Sequence, residues 1–400
     1  MSLVPTARRP VTSVQGFRAH LPVEIAFGEG VIHELPGALT ALGARSVLVV
    51  LEEPVAEQLD VVGALVSAEA AGVRLERHVK LPGEPTFALA DELAELTRAS
   101  SHEAIVGIGG GSALDVAKAA RLVADQGGAA VEYASGRRVP GAPAIGLVLC
   151  PTTAGTGSEV SGASVLTDAE LGRKVGFGHP RMRAQHALVD PVLTHGLPAA
   201  PTAHAGIDAL AQAIGACTVR NSSPLSVALG LEACRLVACS LASVVANGAD
   251  VEARRGLACA SLTAGLAMNL SDCAADHALG QALGSVAHLP HGLTVGLLLP
   301  ETLELSRGDC VDRLERVADA LGAPADGSAD GSRAVCVVRR LLSEVGFPTL
   351  TEVGVEDDAL AELVDRTLGE QSYNLEVDCH AWTGSEIEQA FRSAFALEAR

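Results

Sequence analysis

The sequence predicts an α/β N-terminal domain built on a parallel sheet, followed by an all-α C-terminal domain. Three observations carry that prediction. From Val23 to about residue 196, short β-rich runs alternate with Ala-rich helical stretches. One of those runs ends in a glycine cluster that opens directly into a helix. After Pro198 the β-branched runs disappear and helical periodicity takes over, which sets a boundary near residue 197 and divides the chain into 1–197 and 198–400. The length of 400 residues also exceeds the roughly 250–300 at which a single core stops growing.

Taken in order, SVLVVLEE (46–53) reads as a buried strand, followed by a helical stretch through about residue 71. VRLERHV (73–79) reads as a strand, 86–100 as a helix and EAIVGIGG (103–110) as a strand. SALDVAKAARLVAD (112–125) is the helix opened by the glycines, and AIGLVLCPTT (144–153) is one more strand ending in a turn. Beyond Pro198, apolar residues recur at helical spacing in 203–219, 225–247, 250–270, 272–287, 311–321, 332–345, 357–368 and 384–398. The tract GAPADGSADGS (322–332) fits a linker or an exposed connection between two helices.

Composition narrows the function. Hydrophobic residues make up 48% of the chain and charged ones 19%, enough for sizeable cores. A net charge of −19 repels phosphate backbones and anionic lipid, and aromatics at 2% leave no base-stacking platform, so neither nucleic acid nor a membrane is expected as partner. Nine scattered cysteines include no C-x-x-C pair and read as reduced, buried small hydrophobes. Residues 1 to about 18 read as a loose leader without a signal-peptide core, which makes the cytoplasm the expected location.

Three segments carry chemistry. GIGGGSALDVAK (107–118) places four glycines at a strand end and then opens a helix whose first amides can receive an anion. PTTAGTGSEVSGASVLTD (151–168) can offer hydroxyls and bare backbone amides to a ligand, although a surface loop has the same composition. The third is split between GIDALAQAIGA (206–216) and DHALGQALGSVAHLPHG (276–292). Asp208 and Gln212 share one helix face, as do His277 and Gln281. His291 lies past the expected helix end at Pro290, where a loop can fold it back. One carboxylate, two imidazoles and an amide oxygen suffice for a divalent metal.

Together these segments resemble the iron-containing alcohol dehydrogenase family, from FGEG (27–30) to about residue 300. The resemblance implies a dehydroquinate synthase-like fold, hydride transfer between a nicotinamide cofactor and a small alcohol or aldehyde, and a homodimer. It implies diphosphate contacts at Gly110, Gly111 and Ser112 with Asp115 on the next turn, and a nicotinamide side at Thr152, Thr153 and Thr156. Glu52 matches the position of a ribose-binding acid, which favours NAD over NADP. Lys174 matches a lysine on the substrate side and, with His277 and His291, is a candidate catalytic residue.

This chain departs from the family pattern at two imidazoles. The family metal, Fe(II) or Zn(II), is held by an aspartate and three histidines; here the set is Asp208, Gln212, His277 and His291. Gln281 stands where the family has a proton-relay histidine. Neither amide titrates, so a proton must come from water, the cofactor ribose or His288. Four readings follow: a metal-assisted dehydrogenase, a metal-independent reductase of an anionic oxo-compound resembling maleylacetate reductases, a lyase of the dehydroquinate synthase kind, and a retired NAD-binding protein. In the second, Lys174, Arg173 or Arg220 receives the substrate charge. The tail holds His380 and Trp382, read as pocket-facing or simply packed.

Overall fold

The computed structural model describes residues 16–396 apart from Leu171. The expected leader lies outside the described residues up to position 15, and residues 16–18 are exposed without regular structure. Six parallel strands form one sheet: β1 (Glu24–Phe27), β2 (Ser46–Glu52), β3 (Arg74–Lys80), β4 (Ala104–Gly109), β5 (Gly146–Pro151) and β8 (His186–Val189). Their order is β1-β8-β5-β4-β2-β3. Five helices accompany it: α1 (Leu35–Ala41), α2 (Leu59–Ala70), α3 (Phe87–Ala99), α4 (Gly111–Gln126) and α5 (Ala130–Ala134).

The sheet is central because its inner strands are apolar on both faces. Val47, Val49 and Leu51 of β2 pack in one core with Leu35, Leu39, Val61 and Leu65 of α1 and α2. Leu48 and Val50 face the other way, into a second core with Leu93 and Leu114 of α3 and α4. Alternation with a period of two residues thus feeds two helix layers from one strand.

The second half is helical: α6 (Ala199–Thr218), α7 (Pro224–Ala246), α8 (Val251–Asn269), α9 (Ala275–Ala287), α10 (His291–Ser306), α11 (Val311–Ala320), α12 (Ser332–Glu344), α13 (Leu360–Glu370), α14 (Ser372–Val377) and α15 (Gly384–Ala396). The glycine-rich tract after residue 321 connects α11 to α12. By length and apolarity α7 could cross a membrane, but Ala233, Cys234, Val237 and Leu241 on it are buried in the helical core.

Two elements differ from expectation. Residues 163–178 form an antiparallel hairpin, β6 (Ala163–Asp168) with β7 (Arg173–Gly178), outside the parallel sheet. Its period-two signal is diluted by glycine, serine and charge. His291 is not in a returning loop: Pro290 caps α10, and His291 is that helix's first residue. A proline that blocks continuation of α9 is equally suited to start a helix, since the first turn needs no N–H donor there.

The hairpin is fastened to α4 by a buried polar network. Lys118 is fully buried and its Nζ reaches Asp115 Oδ1 at 2.9 Å, the Ser158 carbonyl at 3.1 Å and Ser161 Oγ at 3.1 Å, and also donates to the Ala163 carbonyl. Asp115 in turn accepts from Ser158 Oγ at 2.6 Å and from the Val165 amide at 2.8 Å. Glu159 lies buried beside this network; burial pushes its carboxyl up from 4.5 to about 7, and the Lys118 charge only partly offsets that.

Because the folded-state value of Glu159 is raised, the unfolded carboxyl ionises first, and stability is lost as pH rises from 4.5 to about 7. Glu159→Gln should therefore gain up to about 3 kcal/mol over the parent at pH 8 and almost nothing at pH 4.5. Urea unfolding at both pH values checks this; an equal effect at the two would show that Glu159 is not the titrating group.

Candidate active site

The glycine turn is packed too tightly to admit any side chain. A Cβ at Gly109 would come within 2.7 Å of Ala113 Cβ and 2.8 Å of Glu52 Cβ, and one at Gly111 within 2.7 Å of Thr156 Cγ2. Gly110 is the N-cap of α4, so the amides of Gly111 and Ser112 begin the helix without carbonyls behind them. Thr153 lies beside Gly110, and the Thr152 amide donates to the Gly109 carbonyl at 2.9 Å. Gly110, Gly111, Ser112, Thr153 and Thr156 thus surround one turn, with Thr152 anchoring it.

Two of the expected cofactor residues have internal partners. Glu52 Oε2 accepts the Gly110 amide at 2.8 Å, and its Oε1 has no such bond among the described residues. Asp115 uses both carboxylate oxygens on Ser158, Lys118 and Val165. It braces the turn against the hairpin, a role that motif spacing alone does not reveal.

The second part of the site is built by three helices. Asp208 and Gln212 on α6, both nearly fully buried, face His277 on α9 and His291 at the start of α10. A Cβ at Gly292 would lie 2.4 Å from the His204 carbonyl and 3.2 Å from Asp208 Cβ, so a glycine after His291 lets α10 seat against α6. One ligand atom each from Asp208, His277 and His291 lies within 4.8 Å of the others. His277 Nε2 is 3.4 Å and His291 Nε2 3.7 Å from Asp208 Oδ1.

Three buried atoms here lack any hydrogen-bond partner: Asp208 Oδ1, Gln212 Oε1 and His277 Nε2. His277 Nδ1 is 3.0 Å from Asp276 Oδ2, which orients the ring with Nε2 toward Asp208. A buried acceptor without a donor is costly, and one cation at the shared point would satisfy all three. The donor set therefore fits a divalent metal, with an amide oxygen where a third imidazole would otherwise stand.

Electrostatics at the site agree with this geometry. Burial alone would raise the Asp208 carboxyl, yet the His291 and His277 imidazoles beside it and the Gln212 amide hold it below the usual carboxylate range. Burial disfavours a charged imidazole at His277, but the Cys273 sulfur and the Asp276 and Asp208 carboxylates raise it well above its ordinary value. His291 is shifted down by burial, with help from His277 and Lys174, despite the Asp208 charge.

A cavity of about 640 Å³ lies between the β6–β7 hairpin, the end of α8 and the segment 369–374, and none of Asp208, Gln212, His277 and His291 lines it. Gln281, one turn beyond His277 on α9, borders it, as does Lys174 on β7. Lys174 Nζ is 3.0 Å from Glu84 Oε1 and 3.3 Å from the Leu289 carbonyl. Arg173 also lines the cavity, 4.0 Å from Glu370. Arg220 is exposed past the end of α6, His288 is exposed in a left-handed conformation after α9, and neither borders the cavity. His380 binds Asp309 at 2.6 Å and stacks edge-on against Trp382, away from the cavity. Glu84, Asp276 and Arg183 were not singled out by sequence; only Asp276, directly before His277, had a local signal.

Known proteins share this arrangement. Residues 22–191 match the model of iron-containing alcohol dehydrogenase, and residues 202–395 match that of the Fe-containing alcohol dehydrogenase family, C-terminal. Long-chain-alcohol dehydrogenase 1 of Geobacillus thermodenitrificans is 34% identical over 84% of this chain and 86% of its own. An NAD-dependent methanol dehydrogenase of Bacillus methanolicus is 30% identical over 84% of this chain and 90% of its own. The crystal structure of a 1,3-propanediol oxidoreductase superposes with a TM-score of 0.90 at 28% identity, covering 95% of this chain and 100% of that one. With both halves matched in order, and with the buried carboxylate and imidazoles converging in the helical half, the chain belongs to the iron-containing alcohol dehydrogenase family.

Proposed function

We propose that this protein transfers hydride between NAD(H) and an alcohol/carbonyl pair, using a divalent metal held by Asp208, Gln212, His277 and His291. The observation that carries this reading is the meeting of Asp208, His277 and His291 within 4.8 Å, with Asp208 Oδ1, His277 Nε2 and the nearby Gln212 Oε1 buried and without hydrogen-bond partners. Fe(II) or Zn(II) bound there supplies a Lewis acid that polarises the reacting oxygen.

The chain's own residues supply the remaining functions. Amides at Gly111 and Ser112 hold the diphosphate at the positive end of α4, Gly110, whose own amide is held by Glu52, leaves the backbone bare for its approach, and Thr152, Thr153 and Thr156 flank the nicotinamide side. Asp276 fixes the His277 ring. Gln281 holds a substrate by hydrogen bonds but moves no proton. Lys174 holds a proton at Nζ on the cavity wall, linked to the half-exposed Glu84. The reading includes an α/β cofactor unit of residues 1–197, a helical unit of 198–400, a homodimer and a cytoplasmic location.

Replacement of imidazole by Gln212 keeps a second reading in view, a metal-independent reductase in which Lys174 and neighbouring cations stabilise the oxyanion. Metal content and NADH turnover before and after chelation separate the two. Asp208→Asn should abolish metal retention by elemental analysis and lower kcat at least about a hundredfold, whereas Gln212→His should raise metal affinity. Unchanged turnover after complete chelation would rule out the metal-assisted reading. NAD binding without turnover of any carbonyl would favour a retired enzyme.

Glu52 supplies the cofactor prediction. Glu52→Gln keeps an acceptor for the Gly110 amide but removes the charge that repels a 2′-phosphate. The ratio of kcat/KM for NAD to that for NADP should fall about tenfold or more; a constant ratio would exclude Glu52 from cofactor choice.

A further inference from the structure

Three basic side chains line the cavity: Arg173, Lys174 and Arg183. Two are balanced within the protein, Arg173 by Glu370 at 4.0 Å and Lys174 by Glu84 at 3.0 Å. Arg183 is different. Its Nε and Nη2 donate to Asn269 Oδ1 at 3.2 and 2.9 Å, and its Nη1 donates to the His20 carbonyl at 2.9 Å. All these acceptors are neutral, and among the described residues no carboxylate lies within ion-pair distance of it.

The guanidinium is thus held in place without being neutralised. It is partly buried, and burial lowers its pKa, so its charge carries a desolvation cost that no side chain offsets. The carboxylates of the cavity wall are turned elsewhere: Glu370 faces Arg173 and Arg366, and Asp272 accepts from the neutral Asn221 and Tyr373 and makes no ion pair with Arg183. Three donors are used on the neutral acceptors, and a guanidinium has five, so N–H groups remain for a ligand. The wall beside Arg183 is small: Gly162 and Gly178 line it, and a Cβ at Gly162 would lie 3.3 Å from Arg183 Cγ.

We propose that the substrate carries an anionic group, a carboxylate, sulfonate or phosphonate, a few bonds from its reacting carbon, and that Arg183 receives it. This rests on the hydride-transfer reading of the same site and adds the substrate's charge. The anion supplies the counter-charge that Arg183 lacks, while Gln281, one turn from His277 on α9, lines the same cavity. A cationic substrate would meet an unbalanced like charge, and a neutral one would leave the guanidinium uncompensated.

The test has a binding arm and a kinetic arm, both on the full-length protein with metal supplied, the first with NAD and the second with NADH as the hydride donor. Calorimetry should show butanesulfonate binding at least about tenfold tighter than butanol or butyltrimethylammonium, and Arg183→Met should remove that preference. Succinic semialdehyde should exceed butanal in kcat/KM by about a hundredfold, a ratio that Arg183→Met collapses and Arg183→Lys partly retains. Equal or better use of butanal or of a trimethylammonium aldehyde, or a ratio unchanged in a folded Arg183→Met, would overturn the proposal. If no aldehyde is turned over, the hydride-transfer reading fails and calorimetry alone decides whether the anion subsite exists.

Discussion

Everything in the site depends on a conflict of lone pairs. Inside the helical half, Asp208 Oδ1, Gln212 Oε1 and His277 Nε2 are buried without a hydrogen-bond partner, and His277 Nε2 stops 3.4 Å from the carboxylate. Such an arrangement is unfavourable as a purely structural feature, because unsatisfied buried polar atoms cost more than hydrogen bonds return. A cation shared by these atoms would resolve it with every side chain in place. The surrounding choices serve the same point: Asp276 behind His277, a glycine after His291, and α10 starting at the proline that ends the preceding turn.

A second constraint joins this centre to the cofactor turn. Lys118 and Asp115 lie on the helix that starts at the glycines, and their partners lie in the segment from Ser158 to Val165. That segment runs on into the hairpin carrying Lys174, whose amide donates to Ser285 of α9 at 3.2 Å. The glycine turn at α4 and the cavity wall at α9 are therefore referenced to one buried polar network. The network links both halves of the chain, so a displacement at the turn reaches the cavity wall through stiff, short contacts.

Much of the architecture was legible before any coordinates. Runs such as SVLVVLEE and EAIVGIGG are apolar on both faces, and that pattern has few outlets other than an internal parallel strand. The glycine turn was legible for the same reason, since a strand, four glycines and a helix leave the backbone little choice. The β6–β7 hairpin was not, because its residues alternate weakly and its pairing depends on a buried lysine contributed from α4. His291 does lie near Asp208 and His277 but at the start of a helix and not in a loop, since a proline stops one helix and starts another with equal ease.

Local pattern and short motifs were enough for a parallel sheet followed by helices and for the family, and they made the glycine turn and Asp208, Gln212, His277 and His291 candidates. Tertiary structure alone decided which groups are already neutralised. Asp115 turned out to be a brace, Glu52 to be half occupied by the Gly110 amide, Arg173 and Lys174 to be paired, and Arg183 to stand without a counter-charge. Charge balance is a property of neighbours in space, and the partners involved lie far apart in the chain, from 43 positions for Asp115 and Ser158 to 197 for Arg173 and Glu370.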